Sequence, residues 1–199
     1  MRTLAAGIVV LFAGAALAQN VDPPTAGDYV DPASGMTYPV SVGAFQRIEV
    51  GRNDEGAVVA VYRKGAEDLT VTVSVFKTST VFVLLGMPKD RKEIDKAYCM
   101  DTIHRVANEG AEDVVQTNDS DATLKYGWSS KDGFKRSYSL KRDFLDRKKV
   151  ALHSDIYRFC NIDKVWTVQY RVDYPAGSDP SKDVKAFMKD LDWTIAAKR

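Results

Sequence analysis

From about Tyr38 onward, apolar and polar positions alternate with a period of two, the pattern of strands with one buried face. A first segment runs from about Val40 to Val50 and is parted by the polar turn Arg52-Asn53-Asp54-Glu55-Gly56 from a second, Ala57 to Arg63. Lys64 to Asp68 then turns the chain into Leu69, Val71, Val73 and Val75, interleaved with Thr70, Thr72 and Ser74, so the three segments predict a meander. The period then changes. Pro88, then Asp90 with Glu93 three residues later, form a capping-box-like helix start, and Asn108 with Gly110 supplies a stop. At 100° per residue Cys99, Met100, Ile103, Val106 and Ala107 share one helix face, which points Cys99 inward.

Strands resume after Gly110: a short one near Val114, others over about Thr123 to Trp128, Phe134 to Phe144 and Val150 to Cys160. Asn161 to Lys164 reads as a tight hairpin. Beyond it Trp166, Val168, Tyr170, Val172 and Tyr174 alternate with Thr167, Gln169, Arg171 and Asp173, a strand with one buried face. Pro175 ends it. Asp179-Pro180 opens a last helix as N-cap and first-turn proline, and Val184, Phe187, Met188 and Leu191 form the apolar stripe of a helix lying on a sheet. Strand runs interrupted by one helix and closed by another predict an α+β fold, a mainly antiparallel sheet flanked by helices, in a single domain over residues 38–199.

The N-terminal segment obeys different rules. Arg2, an uncharged apolar run from Leu4 to Leu17 and the small-x-small triplet Ala16-Leu17-Ala18 predict a secretory signal over residues 1–18, cleaved after Ala18. The run sits at the short limit for a membrane span, which takes about 20 apolar residues, so the mature chain is expected to be free of the membrane, in the periplasm or secreted. Residues 19–37 contain Pro23, Pro24, Gly27, Pro32 and Gly35 and read as an extended leader.

Without Arg2, the other 27 Lys and Arg balance 27 Asp and Glu. A formally neutral exported chain lacks the basic excess of a nucleic-acid binder. Forty-five per cent hydrophobic residues are enough for one sizeable core. In an oxidising compartment the isolated pair Cys99 and Cys160 points to a structural disulfide ahead of two free thiols, a redox centre or a metal site. Such a bridge encloses about 60 residues and adds on the order of 4 kcal/mol in the chain-entropy picture.

Catalytic patterns are thin. The two histidines, His104 on the first helix and His153 on a strand, have Asp101 and Asp155 nearby in sequence, but no HExxH or CxxC accompanies them, so no metal or cofactor is expected. Ser74-Val75-Phe76-Lys77 matches the serine-x-x-lysine pattern, yet it continues a β-alternation that throws Ser74 and Lys77 onto opposite faces. Gly127-Trp128-Ser129-Ser130 lacks the second glycine of a nucleophile elbow. Charge is laid out in blocks: Glu109 to Asp121 holds five acids and no base, whereas Lys131 to Lys149 holds eight bases against three acids. Lys135, Arg136, Lys141, Arg142, Lys148 and Lys149 are therefore one candidate contact patch, set against solvated strand faces that neutralise the acidic block. Val81, Phe82, Leu84 and Leu85, within the apolar run Val81 to Met87, are a second, set against burial.

The order of elements, together with Ser34-Gly35-Met36-Thr37-Tyr38-Pro39 and Gly43-Ala44-Phe45-Gln46-Arg47, resembles the Mog1/PsbP-like group and related exported bacterial proteins of unknown role. The resemblance implies a sheet of six to seven antiparallel strands in an α/β/α sandwich, in proteins that bind other proteins and do no chemistry. The expected function is a non-catalytic exported binding or protein-interaction module, its partner a protein or envelope component. The alternatives are an envelope-surface binder (lipid or lipopolysaccharide) acting through the basic strands 131–149, and an enzyme on an envelope substrate using His104 or His153 with carboxylates.

Overall fold

The computed structural model describes residues 26–53, 56–77, 99, 103–126, 129–162 and 165–191. Strands β1 (Tyr29–Val30) and β2 (Thr37–Tyr38) form a small ribbon. They are followed by β3 (Ser41–Val42), β4 (Phe45–Arg52), β5 (Val58–Lys64), β6 (Thr70–Lys77), helix α1 (Ile103–Asn108), β7 (Ala111–Tyr126), β8 (Ser129–Phe144), β9 (Arg147–Ile162), β10 (Trp166–Pro175) and helix α2 (Ser181–Asp190). Among the described residues the main sheet has eight strands in the order β3-β4-β5-β6-β10-β9-β8-β7, and its paired strands are antiparallel. The expected mainly antiparallel sheet is present, with eight strands where six to seven were anticipated.

The register assigns every side chain to a face. Val168, Tyr170 and Val172 of β10 lie opposite Val75, Val73 and Val71 of β6, which lie opposite Val58, Ala60 and Tyr62 of β5. These residues share one core with Val184, Phe187, Met188 and Leu191, the stripe read from the sequence, so α2 covers this face. Phe187 is its centre, with ring centroids 4.9 Å from Phe45 and 5.1 Å from Tyr62, both edge-on. On the opposite face Ile103 and Ala107 of α1 pack on Tyr138 and Leu140 of β8 and Leu152 and Ile156 of β9. The two helices thus lie on opposite faces and over different halves of the sheet. They are short, six and ten residues, so the helical layers of the expected sandwich are minor among the described residues.

Three sequence expectations change. The expected leader is packed into the fold from residue 29 on: it forms β1 and the start of β2 and buries Tyr29, Asp31, Ser34 and Met36. Asp31 makes this possible by accepting from Ser34 N at 2.9 Å, Ser34 Oγ at 2.7 Å and Arg52 Nη2 at 3.2 Å, which satisfies a turn rich in Pro and Gly that apolar periodicity does not reveal. The strand near Val114 and that over 123–128 are parts of one strand, β7, because the polar run between them pairs with β8 through its backbone and needs no apolar face. In β10, Thr167, Gln169 and Asp173 are buried along with the apolar residues, because the strand sits between β6 and β9 and has both faces covered. Most of the expected first helix, residues 90–98 and 100–102, lies outside the described residues, as do the signal segment and residues 81–87.

Candidate functional site

The α2 face of the sheet is apolar over β5, β6 and most of β10, and turns polar where β10 meets β9 and β8. Register places Ser137 opposite Asp155, Ser139 opposite His153, and Tyr174 opposite His153. Asp155, 5% exposed, accepts from Ser137 Oγ at 2.6 Å and Tyr174 OH at 3.2 Å and pairs with Lys135 Nζ at 2.7 Å. His153 Nδ1 is 3.3 Å from Ser139 Oγ, and its ring lies 5.7 Å from that of Tyr174. Burial, reinforced by the Asp155 charge, pushes the phenols of Tyr157 and Tyr174 well above their usual range, so both remain neutral donors.

Beside Tyr174 a groove of about 260 Å³ runs between the β5–β6 turn and the start of α2, lined by Glu67, Asp68, Leu69, Tyr174, Pro175, Ser178, Asp179, Pro180 and Asp183. Its carboxylates are engaged. Lys64 Nζ pairs with Glu67 at 3.0 Å and Asp183 at 2.9 Å, and Arg147 with Asp68 at 2.7 Å. Asp179 accepts from Ser181 Oγ and, at 3.0 Å, from Ser181 N, and those two hydrogen bonds hold its carboxyl below the ordinary range. It thereby caps the first turn of α2 from one residue before Pro180, although Pro180 occupies the N-cap position itself.

Chemically, Asp155 is a charge-satisfied anchor, whose oxygens take two hydroxyl donors and one ammonium. His153 has a serine hydroxyl at Nδ1 and stands on an open sheet face, and no contact joins it to Asp155 among the described residues. Among the described residues no group of three or more His, Cys, Asp or Glu is placed to hold a metal ion. His104 lies on α1, on the far side of the sheet core from β9's His153 face, while Asp101 falls outside the described residues. Ser74 and Lys77 do alternate across β6, opposite Gln169 and Trp166.

The six basic residues of the expected patch do not share a face. Lys135 and Lys141 project on the α2 side of β8, Arg136 and Arg142 on the α1 side, and Lys148 and Lys149 sit at the start of β9. All six are engaged: Lys135 by Asp155, Arg136 by Asp119 at 3.2 Å, Lys141 by Asp113 at 2.7 Å, Lys148 by Asp143 at 2.9 Å and Lys149 by Glu112 at 2.8 Å. Arg142 is buried, donating to Ala107 O at 2.8 Å with Asp173 at 3.7 Å. The basic and acidic blocks are therefore two sides of one β7–β8 ladder, the neutralising arrangement that the sequence reading set against the patch. Val81, Phe82, Leu84 and Leu85 lie outside the described residues.

Cys99 and Cys160 are joined, with Sγ atoms 2.02 Å and Cα atoms 6.0 Å apart. Arg158, two residues before Cys160, donates to Cys99 O at 3.2 Å and to Gln169 Oε1 at 3.1 Å, so the bridge and one buried guanidinium tie the chain ahead of α1 to β9 and β10.

Two features escaped the sequence reading. One is the Tyr174 groove, assembled from three segments with no local signal. The other is the outer edge of β7. Among the described residues β7 pairs on one side only, at the end of the sheet order. Gln116 to Asp121 are exposed at every position, and Val115 is 59% exposed. An acidic block flanked by strand signals, with no apolar face of its own, was the available clue.

The described helices include none long and apolar enough to cross a membrane. No protein family matches the chain, and no curated protein matches it. Among solved structures it is similar to the solution structure of cyanobacterial PsbP (CyanoP) from Synechocystis sp. PCC 6803. That similarity has a TM-score of 0.43 and 13% identity, and covers 82% of this chain and 87% of that one. That structure is of the PsbP-like kind that the element order resembles.

Proposed function

We propose that the chain is a non-catalytic module that binds another protein outside the cytoplasm. The observation that carries this reading is β7: sixteen residues long, exposed along most of its length and paired on one side only among the described residues. Unpaired strand edges invite another chain, and proteins usually shorten, bend or cover them. The opposite end of this sheet is treated that way, since β3 has only two residues, whereas β7 is bulged only in its first half and pairs regularly with β8 from Asn118 on.

The polar groups elsewhere support binding over chemistry, since Asp155, the groove carboxylates and the six bases are each engaged within the chain. Paired bases divided between two faces give no single patch for an anionic lipid surface. Export is supported by the segment ending at Ala18 and by a disulfide of the kind that persists in oxidising compartments.

Two measurements test the reading. N-terminal sequencing of the protein from the cell envelope should start at Gln19, and thiol titration under denaturing conditions should find no free sulfhydryl before reduction. Full-length chain in the cytosol with two titratable thiols defeats the export half. A photo-crosslinking residue placed at Thr117 should trap one defined protein in the native compartment, whereas uncrosslinked monomer alone defeats the binding half.

A further inference from the structure

Resting on that reading, we infer that the β7 edge takes up an extended partner segment carrying a basic side chain at every second residue, added as a further strand.

The open edge has a defined window. Register breaks between Glu112 and Val115 and again between Gln116 and Asn118, and Asp113 has a φ of +53°, so the first half of β7 is bulged and poor as a template. From Asn118 the ladder with β8 runs unbroken to Tyr126. Toward the far end Leu124 is 1% exposed in the core that includes α2, and Ala122 is half-buried against that core, which leaves Asn118 to Asp121 as the regular and exposed stretch. An incoming strand here gains main-chain hydrogen bonds, which give affinity without dictating sequence.

Sequence preference comes from the side chains. Asp119 and Asp121 lie opposite Arg136 and Phe134 of β8 and so share the α1 face, while Asn118, Ser120 and Ala122 share the other. Both acids are exposed; Arg136 engages Asp119, and Asp121 has no ion pair among the described residues. No base stands between Glu109 and Asp121. The complementary strand therefore carries Lys or Arg at i and i+2 on one face and small or polar residues on the other. A second copy of the chain fits badly: centred antiparallel on Ser120, it sets Asp119 against Asp121 twice, and like charges directly opposed are destabilising.

The test uses the mature chain with its bridge intact and four fluorescent, end-capped octapeptides at low salt. One is four Thr-Lys repeats, one has the same composition with the lysines in a block, and one pair of variants is the repeat N-methylated either at every Thr or at every Lys. A strand has its two sets of N–H groups on opposite edges, so only one N-methylated peptide should lose binding. The repeat should bind about tenfold more tightly than the block, and Asp121→Lys should weaken it by about as much while leaving the melting temperature of this exposed site unchanged. Equal binding of repeat and block, equal effects of the two N-methylations, or no binding of the repeat overturns the inference. Crosslinking from Thr117 separates it from the broader reading: if Asp121→Lys still traps the same cellular protein there, the module binds at β7 but not by pairing basic side chains with its acids, and the inference falls while the broader reading stands.

Discussion

Two residues show how little freedom the backbone leaves where strands meet. Gly133 sits in β8 opposite Ala122, where β8 begins to pair with β9, and a Cβ there would lie 2.3 Å from Arg158 O and 2.4 Å from Phe159 Cδ1. Neither neighbour yields: one is backbone and the other a ring in the α2-side core. Gly133→Ala should cost about 1–3 kcal/mol through forced displacement, read as a lower urea midpoint at unchanged slope. Asp31 makes a pH-dependent contribution. Burial pushes its carboxyl up, but the Ser34 hydroxyl, the Ser34 amide and Arg52 together outweigh burial and hold it below the ordinary 3.8. A carboxylate whose pKa is lower folded than unfolded stabilises fully above the unfolded value and loses that contribution as pH falls through the folded one. Asp31→Asn should therefore unfold at lower urea than the parent at about pH 7, and the gap should shrink at about pH 3. A gap that stays constant would show that Asp31 acts through shape alone.

At the scale of elements, the bridge and α2 act by different means. Cys99 and Cys160 close a loop with a sequence separation of 61, and reduction or the double Cys→Ala change should lower stability by on the order of 4 kcal/mol, seen as an earlier denaturant midpoint. Phe187 contributes by packing against Phe45, Tyr62 and Tyr170, and Phe187→Ala should cost about 3–5 kcal/mol with the bridge untouched. Both elements were legible in the chain: the Val184-Phe187-Met188-Leu191 stripe has helical spacing, and Cys99 falls on the inward face of a helical segment. Strands β5, β6, β9 and β10 were legible too, because each carries an alternating apolar set. What lacked such a set was missed. The Tyr29–Tyr38 ribbon is held by Asp31, Ser34 and Arg52, which are separated by up to 21 positions, and the middle of β7 is held by backbone pairing and cross-strand ions. The basic residues of 131–149 were visible as a block, but their partners, Asp119, Asp113 and Glu112, became assignable only with the register.

For the molecule as a whole, the arrangement of the two cores sets a gradient of stability across the sheet. The α2-side core draws on β4, β5, β6 and β10, the α1-side core on β8 and β9, and their backs meet at β9 and β10, which have neighbours on both edges and buried residues on both faces. Opening an amide in the middle of β10 requires the α2-side core to separate and both neighbouring strands to let go, so it should exchange at the free energy of global unfolding. At the sheet's end, β7 from Gln116 to Asp121 is secured by one neighbour and by exposed ion pairs, each worth about 0–1 kcal/mol. Amide hydrogen exchange should therefore be slowest in β6, β10 and the middle of β9, with the β7 amides that pair with β8 exchanging through local opening well below the global value. The same gradient bears on binding. An edge that opens readily pays an ordering cost when a further strand joins it, and the added strand supplies the second neighbour that β7 lacks among the described residues. The Thr-Lys peptide should consequently slow exchange from Asn118 to Asp121 and leave β10 as it was. Protection spread evenly over the sheet would mean that the ligand stabilises the fold from some other surface.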